Sequence, residues 1–381
     1  MPRTTGIYMT TATGGEAVNA FVPLPLPPAE PALDPACYAR NAAAEQALGR
    51  LSAMSGLVAS AEWLIYSSIR KEALLTSQME GTQATLTDLL DEESGMDVAS
   101  TTDVSDVTNY LQAFQYARRQ LNAERGLPIS ARLLCEAHAI LLNSVRGEQK
   151  LPGEIRRSQN WIGGTRPGNA VHVPPPHTEV GRLLGEMEHY IHEHAPALPP
   201  LVRIALIHAQ FETIHPFLDG NGRIGRLLIA ALLEKWKLLP EPLLYVSGQL
   251  KKHQAEYYRL LSAIRTEGDW ESWVNFFLDC TTEAAETAQR SIIDIASLVA
   301  ADRKKVMAAK NGTVQAIRLF EMLPTMPRLT TTFAAEKLDV TFPTASTAIK
   351  VLQSVDVLAS STEQKRSQQF NYKGYIELLQ R

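Results

Sequence analysis

Residues 215–226 read His215-Pro216-Phe217-Leu218-Asp219-Gly220-Asn221-Gly222-Arg223-Ile224-Gly225-Arg226, the densest chemistry in the chain. The apolar run 201–214 before it has the pattern of a helix, which Pro216 stops, leaving His215 at the C-terminal end. Gly220-Asn221-Gly222 spells a tight loop whose missing side chains let backbone N–H groups approach a ligand. The next helix is expected from about Arg223, so its free N–H groups and dipole face the same loop, the arrangement of an anion site. Arg223 and Arg226, three apart, are expected to share that helix's first turn. Two cations there oppose the dipole unless an anion, such as a polyphosphate, sits between them. Asp219 supplies a hard oxygen suited to Mg²⁺ and His215 a base for neutral pH. Base, metal carboxylate, anion loop and arginine pair are the parts of a phosphoryl or nucleotidyl transferase.

Working outward, residues 1–36 read as irregular, with Phe21 to Pro28 a polyproline-like strip. Apolar spacing from Asn41 onward predicts one long helix ending near Glu80, with Gly81 as its stop. An acidic stretch, Asp88 to Asp106, precedes helices at 107–124 and 130–145. Pro152 to Pro176 changes character: Trp161-Ile162-Gly163-Gly164 and Val171-His172-Val173 flank Thr165 to Asn169, predicting two short strands around a turn. Helices are expected again at 178–194, 200–214, 223–237, 250–266 and 270–297. Beyond them, Gln315 to Met322 reads as a helix, Thr332 to Leu338 and Thr344 to Leu352 as a helix pair, and Val357 to Asn371 as a two-stranded wing. Lys365 and Arg366 would stand near its tip, a winged-helix order.

The segment 215–226 resembles the Fic family signature, His-Pro-Phe-x-(Asp/Glu)-Gly-Asn-Gly-Arg-x-x-Arg, at every fixed position. The stretch Asn160 to Pro176 resembles the flap hairpin that precedes this motif, and Thr76-x-x-x-Glu80-Gly81 resembles the family's inhibitory motif. The resemblance implies a mainly α fold: a Fic-type helical core with a β-hairpin flap, plus a C-terminal winged-helix domain. It divides the chain into a proline-rich arm (1–40), a helical region with the inhibitory helix (41–106), a Fic core (107–299) and a winged helix (300–381).

What the resemblance implies chemically is protein AMPylation, transfer of AMP from ATP to Tyr, Thr or Ser hydroxyls of target proteins, this chain included. His215 would deprotonate the hydroxyl and Asp219 would hold Mg²⁺. Gly220, Asn221, Gly222 and Gly225 would serve the nucleotide, with Arg223 on the β-phosphate and Arg226 on the γ-phosphate. Trp161, Ile162, Gly163, Gly164, His172 and Val173 would form the flap that docks the target by strand addition. Glu80 would reach Arg226 in a forked ion pair and displace the γ-phosphate. Tyr257 falls where relatives place an adenine-side aromatic, a position that ordinary packing explains equally well. The family also suggests a homodimer.

Two other readings stand beside this one: a hydrolase of the same fold that removes AMP, with Glu80 placing water, and a winged-helix DNA-binding regulator with the core as sensor. The candidate recognition helix offers Thr344, Ser346, Thr347 and Lys350 but no arginine to fork onto guanine. His189, His192 and His194 read as a solvated helix end, His208 as a buried polar residue that could partner His215, and Phe217 as core.

Composition bounds all of this. Hydrophobic residues are 45% and charged residues 20% of the 381, an ordinary globular balance. The net charge of −4 argues against bulk binding of nucleic acid, although the last 81 residues hold 12 Lys/Arg against 7 Asp/Glu and leave the rest at −9. No apolar run approaches a membrane span and no secretory signal opens the chain. Three scattered cysteines, Cys37, Cys135 and Cys280, fit reduced cytoplasmic thiols.

Overall fold

The computed structural model describes residues 3–28, 35–54, 60–95, 101–143, 148–194, 197–360 and 368–380. Its first element corrects the irregular reading of 1–36. Strands β1 (Gly6–Thr13) and β2 (Glu16–Pro23) pair antiparallel from Gly6↔Pro23 to Thr13↔Glu16. Gly14 and Gly15 connect them with φ of +58° and +79°, the left-handed two-residue turn whose twist matches paired strands. The signal was local after all: two glycines between runs of Thr, Ala, Val and Tyr. Among the described residues of this region, 3–5 and the strip 24–28 lack regular structure, and the Gln210 side chain ties that strip down by donating to the Leu24 carbonyl at 3.0 Å.

The single helix expected from Asn41 to Glu80 is two, α1 (Pro35–Ala53) and α2 (Ala61–Met79). Residues 55–59, where the expected helix would have continued, lie outside the described set. Ser60 caps α2 through its hydroxyl. The acidic stretch holds a further helix, α3 (Leu86–Glu93), started by a Thr85–Asp88 capping box. Then come α4 (Thr101–Asn122), α5 (Ala131–Leu141), α6 (His177–Ile191), α7 (Pro200–Ile214) and α8 (Asn221–Lys235). The helix expected over 250–266 breaks at His253 into α9 (Ser247–Lys252) and α10 (Gln254–Glu267), and α11 (Trp270–Met307) follows.

α7 explains the architecture. Nearly every residue of it is buried, so it has no polar face and must be surrounded. It packs against α6, α8, α10 and α11, with α1 and β2 closing the shell. That places its C-terminal end, and the loop after it, at the floor of an opening between helices.

The expected strands of Pro152 to Pro176 do not form a ladder. Ile162 and His172 make one isolated antiparallel bridge, and Pro167–Asn169 is a turn of 3₁₀ helix. Gly163 and Gly164 are both left-handed, and the Asn169 side chain accepts from the N–H groups of Thr165 and Arg166. Those donors are therefore satisfied by a side chain instead of a partner strand.

The C-terminal part consists of α12 (Val314–Met322), β3 (Arg328–Thr330), α13 (Thr331–Leu338), α14 (Phe342–Ser354), β4 (Ala359–Ser360), β5 (Gln369–Asn371) and α15 (Lys373–Gln380). Two strands, β4 and β5, pair antiparallel within the expected wing of 357–371, and β3 joins β5 from outside it to give the order β3-β5-β4. Lys365 and Arg366 lie outside the described residues. This part has its own apolar core, in which Ile295, Val299 and Val306 from the end of α11 take part, with Trp63 of α2 and Leu86 and Leu90 of α3. α11 runs without a break through residues 299 and 300, its earlier turns belonging to the core around α7.

Candidate active site

His215 ends α7 in a left-handed conformation, φ 49°, with its N–H donating to the Phe211 carbonyl at 2.9 Å. This turns the chain sharply, and the next residues form a loop clipped by one side chain. Asn221 accepts from the Phe217 N–H at 2.9 Å and donates to the Phe217 carbonyl at 2.8 Å. The Asn221 side chain is thus spent on the loop, and what it can offer a ligand is backbone. Gly220 precedes α8 with φ +76°, a conformation glycine adopts without strain. α8 begins at Asn221, two residues earlier than expected, so Arg223 lies in the first turn and Arg226 in the second. Only Arg223 opposes the helix dipole.

Two residues that the sequence reading passed over hold this loop from behind. His138 of α5 stacks on the Phe217 ring at 3.8 Å. Its Nδ1 accepts from the Gly153 N–H at 2.9 Å, so its Nε2 carries the proton and donates to the Asp219 carbonyl at 3.0 Å. Burial pushes its pKa down to about 4. Arg156 is fully buried and donates to the carbonyls of His215, Ser158, Pro175 and Ile214. It staples the root of the flap to the end of α7, and burial lowers its pKa to about 10. Neither had a local signal: His138 is a lone histidine on an apolar helix face, and Arg156 sits beside an exposed Arg157.

His215 is half-buried, with an Nδ1 that is buried and without a hydrogen-bond partner among the described residues. Burial first, and then the charge of Arg156, depress its pKa to about 4. The imidazole is therefore neutral at pH 7, with a lone pair free to accept a proton. Its link to His208 is not realised. His208 donates from Nδ1 to the Gly225 carbonyl at 3.2 Å and accepts at Nε2 from the Tyr257 hydroxyl at 2.9 Å. Tyr257 is itself buried, packed against Trp273, and lines the opening beside the half-exposed Tyr258.

The second arginine is the most constrained charge in the region. Arg226 is 1% exposed. Its Nε donates to the Thr76 hydroxyl at 2.6 Å, and one terminal nitrogen reaches both the Thr76 carbonyl at 3.2 Å and Glu80 Oε1 at 2.5 Å. The expected fork onto Glu80 is thus divided, one prong to Thr76 and one to Glu80, because both stand on the last turn and end of α2. Glu80 is still 36% exposed, and although burial raises its pKa, Arg226 outweighs that and holds it low. A Cβ at Gly222 would lie 2.4 Å from Glu80 Oε1, so only glycine admits the contact.

These groups line one cavity of about 860 Å³. His215, Gly222, Arg226, Glu80 and Tyr257 share it with Trp161, Ile162, Gly163 and His172 of the flap. Glu212 and Arg265, which carry no local sequence signal, line it too. His172 is buried and donates from Nε2 to the Thr213 carbonyl at 3.0 Å, and Val173 accepts at 2.9 Å from the N–H of Phe21 in β2. Gly164 stands at the turn, and Trp161 is partly exposed. Gly225 faces α7, where any Cβ would strike Glu212, Phe211 and His208.

Asp219 is the candidate metal carboxylate. It is 49% exposed, accepts from the Gly220 N–H at 2.6 Å and lies 3.8 Å from Arg223. Among the described residues no group of three or more His, Cys, Asp or Glu could hold a metal ion, the run His189 to His194 included; His192 instead hydrogen-bonds the Ile129 carbonyl. A lone exposed carboxylate fits Mg²⁺ held mainly by the phosphates of a substrate, the usual habit of that ion. Among the described residues no helix is long and apolar enough to cross a membrane.

Comparison with known proteins matches this geometry to a family. The profile described as Fic/DOC family N-terminal covers residues 38–119, and that described as Fic/DOC family covers 128–233. Among curated proteins, the chain is 32% identical over 184 residues to "Protein adenylyltransferase Fic" of Drosophila virilis and 30% to that of Drosophila melanogaster. Each match takes in 48% of this chain but only about a third of the relative's length, 35% and 34%. Among solved structures, a Fic family protein from Desulfovibrio desulfuricans G20 superimposes with TM-score 0.58 at 21% identity, covering 89% of this chain and 96% of that one. Fic-1 from C. elegans gives 0.53 at 19% identity, over 68% and 73%. The fold is the mainly helical one of these structures, and residues 38–119 and 128–233 carry the two Fic/DOC family profiles.

Proposed function

We propose that this protein is an adenylyltransferase that moves AMP from ATP to Tyr, Thr or Ser hydroxyls of target proteins, itself among them, and that Glu80 holds it in check. The observation that carries the reading is a buried guanidinium, Arg226, shared by Thr76 and Glu80 at the wall of a cavity that also holds a neutral His215. A target segment lies along the flap by backbone pairing at Trp161 to Gly164 and His172-Val173. His215 accepts the hydroxyl proton as that oxygen attacks the α-phosphorus. The bond to the β-phosphate oxygen breaks and pyrophosphate leaves. The N–H groups at Asn221 and Gly222, with Arg223 and Arg226, bind the phosphates, while Gly220, whose N–H goes to Asp219, shapes the turn. Asp219 would hold Mg²⁺, which would supply neutralisation of phosphate charge. With Glu80 on Arg226 the γ-phosphate loses its partner, and the α-phosphorus is misplaced for in-line attack.

The test is incorporation of radiolabelled AMP. Glu80→Gly is expected to raise self-labelling at least about tenfold, the effect of releasing roughly 1.4 kcal/mol, and His215→Ala to abolish it. Equal labelling of wild type and both variants would defeat the reading.

A second direction, removal of AMP, is favoured by the part of Glu80 that stays exposed to the cavity, where it could orient a water. Mass spectrometry of an AMPylated protein incubated without ATP separates the directions. For the C-terminal part we favour a winged helix that contacts protein over one that reads DNA. Phe342 at the head of α14 is 56% exposed, and the Thr347 hydroxyl is turned back to the Pro343 carbonyl. A second copy of this chain is one such protein partner, to be tested by sedimentation. The thiols of Cys37, Cys135 and Cys280, with Cys280 raised to about 12 by burial, fit a reducing compartment such as the cytoplasm.

A further inference from the structure

α7 turns two titratable side chains toward the cavity one turn apart, and the reaction above uses only His215. The other is Glu212. Its Oε1 is buried and has no hydrogen-bond partner among the described residues. Room for it comes from Gly225, where a Cβ would stand 2.4 Å from that oxygen. An orphaned carboxyl oxygen beside a cavity is unfavourable unless a ligand or a proton completes it.

The charged and titratable groups that face the Glu212 carboxyl come from three other elements: Arg226 on α8, Glu80 at the end of α2, and Arg265 with the hydroxyls of Tyr257 and Tyr258 on α10, while His215 on α7 itself faces the Glu212 backbone carbonyl. Arg226 is the one shared with Glu80. Burial pushes the Glu212 carboxyl up to about 7, against the pull of Arg226, so both of its forms are populated near neutrality.

We propose that Glu212 is a binding residue for the terminal phosphate that Arg226 receives: in its acid form it donates a hydrogen bond to that phosphate, and as a carboxylate it claims the guanidinium instead. The assignment rests on the cavity being a nucleotide site. It makes Glu212 a second competitor for Arg226, fixed on α7, where Glu80 is carried by α2.

The experiment measures Mg-ATP affinity by calorimetry at pH 6, 7 and 8, in the Glu80→Gly protein and in the same protein carrying Glu212→Gln. Glutamine has the same shape, stays neutral and keeps a donor. Near-equal affinities are expected at pH 6. At pH 8 the protein that keeps Glu212 should bind about tenfold more weakly than the one carrying Glu212→Gln, because only about a tenth of it holds the acid form. Taking the ratio cancels the titration of the nucleotide itself. AMP, which lacks the terminal phosphate, should show no such divergence, and Glu212→Asp should retain the pH dependence. Parallel curves for ATP, or a Glu212→Gln variant that binds more weakly at every pH, would overturn the role. Failure of all variants to bind ATP at any pH would instead remove the nucleotide reading, and this assignment with it.

Discussion

Arg226 is a buried cation whose partners come from 146 and 150 positions earlier in the chain. Its bond to the Thr76 hydroxyl is charge-assisted and buried, so Thr76→Ala removes about 1.5–3 kcal/mol from the hold of α2 on the arginine. Self-labelling of Thr76→Ala is expected between that of wild type and Glu80→Gly; labelling no higher than wild type would count against a shared restraint. The pH behaviour of two neighbours has a definite sign. Glu80 has a folded pKa below its ordinary 4.5, so its ion pair is complete above that value and fails only as pH falls through the lowered one. His215 is depressed to about 4, so the base stays proton-free down to that pH and is lost below it. Wild-type labelling should therefore remain low from pH 5 to 8. In Glu80→Gly at saturating ATP, kcat should show no protonation near 6.5; a midpoint there would contradict the depressed histidine.

The elements around the site work as braces. α2 brings Thr76 and Glu80 to Arg226, and its buried Glu72 accepts from both the N–H and the hydroxyl of Ser247 at the start of α9. The flap, with a single strand bridge of its own, leans on its neighbours. Arg156 joins its root to α7, β2 joins its far side through Phe21, and Arg166 at its tip pairs with Glu16 at 2.5 Å. The tip pair is exposed and worth little, whereas Arg156 satisfies several buried carbonyls at once. Arg156→Met is expected to lower stability by about 3 kcal/mol. Hydrogen exchange should then rise first at residues 158–175, ahead of the helices. Uniform loss of protection across α6 to α8 would mean that Arg156 supports the whole core and not the flap.

At the scale of the whole molecule, α2 and α11 connect the core around α7 with the C-terminal part. α2 places Trp63 in the C-terminal core while its other end holds Arg226. The two cores share Leu74 as a packing neighbour, and Arg328 of β3 pairs with Asp91 of α3 at 2.8 Å. Trp63→Ala is expected to cost about 3–5 kcal/mol of packing and, by loosening α2, to raise self-labelling without any change at the cavity. Unchanged labelling in a folded Trp63→Ala protein would show the two ends of α2 to be independent. What the sequence by itself determined is whatever a few neighbouring residues can specify: the helix stop at Pro216, the glycine loop, the capped starts of α2 and α3, and the hairpin turn at Gly14-Gly15. Those signals rest on backbone sterics and on periodicity, which act over one or two turns. The motif residues were legible for that reason, and so was Glu80 at the end of its helix. The tertiary structure alone decided that Arg226 divides its donors between Thr76 and Glu80, that the Asn221 side chain clips its own loop, and that His138 and Arg156 stand behind the motif. It also decided that Glu212 is left with an unpartnered oxygen at the cavity wall. Each of these depends on which distant surfaces meet and how far they exclude water, and burial and hydrogen-bond geometry of that kind arise only when α2, α5, α7 and α8 pack together.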